Sequence, residues 1–346
     1  MQGKVPREFL EKVVFSSLGA KRDEVLSGPG HGLDNSVISL GGRKVLLATS
    51  DPLSVIPSVG LKRSAWLSVH LLASDMTTSG VPPQFAMLDF NLPAKMELPE
   101  VGVYLRAVGK ECERLGISIA GGHTGRYPGS GYTVVGGGTM FAVADKEGYV
   151  TPAMAREGDV VLMTKGAGIG ASAVLARSFP KTVGRKVGQA LLRRARSRIG
   201  DCSTVADALA AASTGLRTSV TSMHDATEGG VLGGLFELSL ACDAPVFVSE
   251  EKIHVSKEAA AVCAAFGLDP LVTLSEGTLL ITCRKKAVER VEAALAAVRV
   301  PCYQIGRIGA KGSATGLWSA SSEKPIDPGR DEYWRAYSES VERGLD

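Results

Sequence analysis

Apolar residues recur along this chain with two periods, every second residue in short runs and every third or fourth in longer ones. Residues 36–40 and 44–49 read as strands flanking Gly41-Gly42, a two-residue hairpin signal. Residues 84–91, 117–120 and 132–144 read as further strands, the last weakened by Gly136-Gly137-Gly138. Residues 6–18 predict an amphipathic helix with Phe9, Leu10, Val13, Val14 and Leu18 on one side. Residues 64–79 predict a helix capped by Ser64 and stopped by Gly80, and residues 99–115 predict another.

A domain boundary is expected at residues 152–158, giving one unit over 1–153 and a second over 154–346. In the second, strands are expected at 160–164, 220–223, 278–283 and 302–308. Helices are expected at 171–177, 184–199, 203–212, 229–241, 256–266 and 286–298, with a terminal helix at 332–342. Strands and helices alternating in both halves predict α+β or α/β layers.

Composition narrows the function. The 346 residues are 45% hydrophobic and 22% charged, enough to bury a core in each of two domains. The net charge of +3 does not call for nucleic acid, and 5% aromatic residues argue against base-stacking platforms. No apolar run reaches the length of a membrane span, and Lys4, Arg7, Glu8, Glu11 and Lys12 interrupt the opening segment. A soluble cytoplasmic protein is expected. The six cysteines form no Cys-x-x-Cys pair, so they read as small buried hydrophobes rather than a zinc site.

The candidate chemistry lies in acidic motifs at element ends. They are Gly32-Leu33-Asp34-Asn35-Ser36-Val37, Thr49-Ser50-Asp51, Ala73-Ser74-Asp75 and His224-Asp225-Ala226-Thr227-Glu228-Gly229-Gly230. Gly121-Gly122-His123-Thr124 stands between the third and fourth. An antiparallel hairpin brings Asp34 and Asp51 to the same end. Asp75 falls in the last turns of a helix, where the dipole disfavours a carboxylate unless a cation compensates. Oxygen ligands beside glycine-rich backbone suit Mg²⁺ carrying a polyphosphate. Singly, each Asp is as consistent with a cap or an Asx-turn. His70 reads as structural, and His224 as a residue that orients Asp225. The basic stretch from Arg177 to Arg198 reads as a solvated face, with an anionic partner as the alternative. Lys165, in Thr164-Lys165-Gly166-Ala167-Gly168-Ile169-Gly170, opens a glycine turn into a helix, a setting that suits phosphate.

Together these motifs resemble the superfamily of aminoimidazole ribonucleotide synthetase, selenophosphate synthetase, thiamine monophosphate kinase and the hydrogenase maturation factor HypE. Leu33–Val37 resembles its Asp-Ala-Ala-Val entry, Thr49–Asp51 its Thr-Thr-Asp, and Asp75 with Gly80 and Pro82 its Asp-Ile-Ala-Ala-Met-Gly-Ala-x-Pro. Gly121–Thr124 resembles Gly-Gly-Asp/Glu-Thr, and residues 225–230 resemble Asp-Pro-Thr-Arg-Gly-Gly. Gly267–Leu271 and Ser275–Leu280 resemble segments of the hydrogenase factor. That factor ends in Pro-Arg-Ile-Cys, whereas this chain ends Arg343-Gly344-Leu345-Asp346. Thiocyanate formation on its own tail is therefore not expected, and residues 331–346 are expected to be dispensable for chemistry.

The resemblance implies a two-domain PurM-like fold, with an N-terminal, ATP-binding domain that pairs into a barrel in a homodimer, and a C-terminal α/β domain. It implies that Asp34, Asp75 and Asp225 hold Mg²⁺. Asp51, Gly121, Gly122, His123 and Thr124, with Thr227, Gly229 and Gly230, would contact the nucleotide, and Lys165 and His123 would serve catalysis. The implied activity is ATP-dependent phosphoryl transfer to an amide or thioamide oxygen, as in hydrogenase maturation, or to a phosphate acceptor, as in the kinase branch. A non-catalytic nucleotide-binding paralogue is the competing reading.

Overall fold

The computed structural model describes residues 3–346. It opens on a single helical turn, α1 (Arg7–Phe9), which runs into a π-helical turn at Leu10–Val14. The first sheet then contains β1 (Val25–Ser27), β2 (Ser36–Ser39), β3 (Lys44–Ser54), β4 (Phe85–Pro93), β5 (Ser118–Tyr127) and β6 (Val134–Asp145). Their order is β1-β2-β3-β6-β4-β5, parallel only between β4 and β5. Helices α2 (Leu61–Thr77) and α3 (Leu98–Arg114) pack on this sheet. Their Leu72, Met76, Tyr104 and Val108 are buried with Val45, Leu47, Leu88 and Met140 of the strands. Each such Leu or Met contributes roughly 1.5–3 kcal/mol on burial. Elsewhere β4, β5 and β6 leave Phe85, Met87, Ile119, Val134 and Val143 exposed. The sheet is open, with β1 and β5 at its edges, so no barrel closes within one chain.

The second sheet contains β7 (Val160–Thr164), β8 (Val220–Ala226), β9 (Pro245–Val248), β10 (Thr278–Cys283), β11 (Cys302–Ile308), β12 (Gly316–Ser319) and β13 (Pro325–Ile326). Their order is β13-β12-β9-β11-β7-β10-β8, antiparallel except between β9 and β12. Its helices are α4 (Ile169–Ser178), α5 (Pro180–Val187), α6 (Gln189–Ser197), α7 (Val205–Ala212), α8 (Gly230–Cys242), α9 (Lys257–Ala265), α10 (Val288–Ala297) and α11 (Tyr333–Glu342). Strand β8 ends the sheet, yet every residue in it is buried. Helices α2 and α7 lie against it, so its edge meets the first unit rather than solvent.

Several expected elements form differently. The stretch 6–18 is not one amphipathic helix, and Phe9, Val13, Val14 and Leu18 are exposed. The hairpin loop is longer than two residues, because Leu40 N–H bonds Lys44 O and leaves Gly41, Gly42 and Arg43 to turn. Helix α2 starts at Leu61 after Gly60, and Ser64 instead bonds the backbone N–H and O of Ile56. The helix expected over 184–199 breaks at Gly188, whose φ of 84° lies in the left-handed region. Strands β9, β12 and β13 have no counterpart in the sequence expectation. No helix among the described residues is long and apolar enough to cross a membrane.

Candidate functional site

The site forms where β3, the end of α2 and β8 meet. Asp34 lies two residues before β2, Asp51 lies within β3, Asp75 occupies the last turn of α2, and Asp225 lies within β8. Asp51 and Asp225 therefore sit inside strands rather than after them. Strand β6 carries the glycines that let β3 continue, with Asp51 opposite Gly138 and Pro52 opposite Gly137. Asn35 fixes the α2 terminus by donating to the Asp75 carbonyl at 2.7 Å and to Thr78 Oγ1 at 3.0 Å. Thr49 Oγ1 donates to Asp75 Oδ2 at 3.3 Å.

Asp34, His224 and Asp225 bring one ligand-type atom each within 4.8 Å of one another. His224 differs chemically from the two carboxylates. Its Nδ1 lies 2.8 Å from Asp34 Oδ1 and its Nε2 lies 3.1 Å from Glu237 Oε2. Burial disfavours its charge, but Asp34 and Glu237 outweigh that and raise its pKa well above the ordinary value. An imidazolium with both nitrogens engaged donates and does not ligate. His224 thus bridges Asp34 to Glu237, instead of orienting Asp225 as the sequence suggested.

Around this bridge the charge is one-sided. Burial, then Asp225, Asp51, Asp34 and Glu276, push the Asp75 carboxyl well above its ordinary range. Burial raises Asp225 to about 7, with Asp34 adding and His224 opposing. Burial raises Asp51 to about 6, with Lys4 opposing and Glu228 adding. Glu276 is driven well up by burial and by Asp225 and Asp51. Glu237 goes the other way, to about 2, because hydrogen bonding from His224 and the Lys4 charge overcome its burial.

These residues fit a hard divalent cation. Asp34 Oδ2 is buried without a hydrogen-bond partner, and so is Asn35 Oδ1 beside it. Orphaned oxygens among crowded carboxylates are what an oxygen-preferring ion satisfies. Of the three expected metal ligands, the structure brings Asp34 and Asp225 into one group with His224, and Asp75 is not in that group.

Other expected site residues lie elsewhere or are already engaged. Lys165 is buried at 8% exposure, and its ammonium donates to Asp201 O at 3.1 Å, Ser203 O at 2.6 Å and Asp207 Oδ1 at 3.2 Å. Those three bonds exhaust its donors, so it is a structural ion pair rather than the expected phosphate ligand. Gly229 N–H donates to Asp331 Oδ2 at 3.0 Å and Gly230 N–H to Thr227 O at 3.1 Å. Neither is free for phosphate, contrary to expectation. Gly230 is nonetheless required as glycine, since its φ is 65° and a Cβ would press on Leu271 O at 2.6 Å. Gly121, Gly122, His123 and Thr124 lie exposed on edge strand β5. Asp51, Gly138, Leu88 and Gly122 form one row across the sheet. Three strand spacings put Gly122 roughly 14 Å from Asp51 within the chain. His123 Nε2 lies 2.6 Å from Tyr127 Oη.

Four charged residues at the site were not among the expected site residues: Lys4, Glu228, Glu237 and Glu276, although Glu228 and Glu276 stand within the motifs read from the sequence. Lys4 N–H donates to Glu228 Oε2 at 2.6 Å, and Lys4 Nζ lies 3.3 Å from Thr227 Oγ1 and 3.5 Å from Glu237 Oε1. Glu237 lies two turns into α8, on the side that faces His224, a helical offset from Gly230 that could have revealed it. No local signal connects Lys4 to residues more than two hundred positions away.

Two family models match the chain, the AIR synthase related protein N-terminal domain over residues 32–144 and its C-terminal domain over residues 156–319. A protein of Methanocaldococcus jannaschii, provisionally named for hydrogenase expression and formation, is 22% identical over 295 residues, covering 83% of this chain and 82% of its own. The solved structure of AaThiL complexed with AMPPCP and TMP superposes with a TM-score of 0.69 at 18% identity, covering 94% of this chain and 97% of that one. The crystal structure of hydrogenase maturation protein HypE in complex with ATP gives a TM-score of 0.61 at 17% identity, covering 94% and 96%. At these identities the two structures establish a shared fold.

Proposed function

Because this chain belongs to the AIR synthase related family through both of its domains, we propose that it is a Mg²⁺-dependent ATP-binding enzyme that transfers a phosphoryl group to a bound acceptor. The observation that carries this reading is the crowded set Asp34, Asp51, Asp75 and Asp225, of which Asp225 is buried and the other three half-buried, with an orphaned Asp34 oxygen. Carboxylates crowded this way repel a bare polyphosphate and require a metal between them and it. Bound Mg²⁺ would neutralise phosphate charge at the transferring group. Asp34, Asp75 and Asp225 are its candidate ligands. The Asp34–His224–Glu237 chain holds Asp34 in one orientation, and Asp225 is buried beside it. Positioning and charge neutralisation then supply most of the catalysis, as in other phosphoryl transfers.

The acceptor is a separate bound molecule in this reading. Each cysteine that could carry a covalent group is held as a thiol by burial, Cys112 and Cys242 near 11, and Cys202, Cys263, Cys283 and Cys302 near 12. An amide or thioamide oxygen and a phosphate monoester are the two acceptor classes this chemistry serves. The exposed Phe85, Met87, Ile119 and Val134, together with the open β5 edge, support pairing of a second copy on this sheet. That pairing would let Gly121, Gly122 and His123 serve the partner's nucleotide.

Incubation with ATP, Mg²⁺ and a metabolite extract, with products read by mass spectrometry, tests the enzyme claim. Protein-dependent loss of ATP matched by a new phosphorylated or dehydrated product is expected. Tight ATP binding with no turnover across the extract would favour the non-catalytic paralogue.

A further inference from the structure

Lys4 and Lys165 make opposite use of their ammonium groups. Lys165 is sealed in, with all three donors engaged. Lys4 has a side chain 53% exposed, and its Nζ makes only two long contacts, to Thr227 Oγ1 and Glu237 Oε1. Its donor capacity is therefore only partly and weakly used, and it lies within the electrostatic reach of Glu237, Glu228, Asp225 and Asp34.

The backbone around Lys4 is held firmly. Lys4 N–H donates to one oxygen of Glu228 at 2.6 Å. The indole N–H of Trp334 donates to the other at 2.7 Å. Gly3, at φ 94°, lets the strand of chain pass between them, since a Cβ there would lie 2.7 Å from both Glu228 Oε2 and Trp334 Cδ1. Glu228 occupies the fourth place of the motif Asp225-Ala226-Thr227-Glu228, so the clasp is built on the site's own loop. The fixation is by main chain, which leaves the side chain to do something else.

We propose that Lys4 is a phosphate-binding residue of this site, and that Glu228 and Trp334 position it by clasping the main chain on either side of a shared carboxylate. The proposal deepens the Mg²⁺-ATP reading and rests on it. The acidic cluster attracts the ammonium while the site is free of nucleotide. Its class of ligand is a phosphate oxygen of the metal-bound nucleotide, reached by swinging a long, flexible side chain from a fixed backbone.

Calorimetric titration of MgATP into the full chain, Lys4→Met, Lys4→Gln, Glu228→Ala and the Lys4→Met/Glu228→Ala double variant tests this, with melting temperatures taken alongside. A lost charge-assisted hydrogen bond predicts roughly 10- to 100-fold weaker MgATP binding in both Lys4 variants, at nearly unchanged melting temperature. Glu228→Ala weakens binding through Lys4, so the double variant is expected to be no weaker than Lys4→Met alone. Lys4 variants that bind MgATP as tightly as the parent, or tighter, would show that Lys4 merely screens the carboxylates, overturning the proposal. Additive losses in the double variant would overturn the clasp. An unmodified chain that does not bind MgATP would fail the underlying reading first, and this proposal with it.

Discussion

Asp331 Oδ2 accepts the backbone N–H of Gly229 at 3.0 Å, so a carboxylate from the segment before α11 caps the helix that follows the Asp225 motif. The other oxygen, Oδ1, accepts from Thr273 Oγ1 at 3.2 Å and from Tyr333 N–H at 2.8 Å. The sequence suggested that residues 331–346 are dispensable for chemistry. In the structure Asp331 and Trp334 touch the loop that carries Thr227 and Glu228, while Tyr333 and Ala336 join a buried cluster.

Asp331→Ala should destabilise the protein by about 1–2 kcal/mol, the usual cost of losing a helix N-cap with its neighbouring bonds. Chemical denaturation measures it. A truncation after Pro328 should cost more, because it also removes the Tyr333 and Ala336 packing.

Lys165→Met should damage folding, not catalysis alone. It leaves Asp207 buried without its cation, and breaking a buried pair from one side costs about 3–5 kcal/mol. The expected outcome is a much lower melting temperature or insoluble protein. A well-folded Lys165→Met chain that had lost only MgATP affinity would return Lys165 to the active site.

His70 gives a pH dependence outside the carboxylate cluster. It stacks on Trp66 at 4.2 Å and pairs with Ser203 Oγ at 2.9 Å, joining α2 to the second unit. Burial lowers its pKa to about 4, with Glu111 opposing and Arg114 adding. Its folded-state value lies below the unfolded one, so the unfolded chain binds more protons between about pH 6.5 and 4. Stability from neutral His70 is complete above that window and is lost as pH falls through it. His70→Gln should flatten this part of the stability profile by a few kcal/mol in denaturant titrations.

Asp75→Asn should leave the metal-free protein as stable or make it more so. Burial and four neighbouring carboxylates oppose its charge, and it sits at a helix C-terminus, where a negative charge costs about 0.3–1 kcal/mol. The same change should weaken Mg²⁺-dependent nucleotide binding. A large loss of stability with binding unchanged would make Asp75 structural.

Much of the frame was legible because it is local. Strands β7, β10 and β11 form at the expected residues; β7 and β10 are short buried runs, whereas β11 buries only Ile305 and Ile308. The clustering of Asp34 with Asp225 was legible as a set of motifs at element ends. Partners fixed only by long-range packing were not. Asp51 reads as a strand terminus, yet Gly136, Gly137 and Gly138 of β6 extend β3 past it. His224 reads as a neighbour of Asp225, but side chains alternate along a strand, which turns it toward Asp34 and Glu237. Lys165 sits in a glycine-rich turn of phosphate-binding type, and only the fold shows Asp207 closing on it.

The central claim is that these carboxylates need a metal to accept ATP. Titration of ATP into the protein by calorimetry, once in Mg²⁺ and once in EDTA, tests it most directly. Binding with Mg²⁺ and at least tenfold weaker binding in EDTA is the predicted result, a difference of about 1.4 kcal/mol or more. Equal affinity in the two buffers would contradict it.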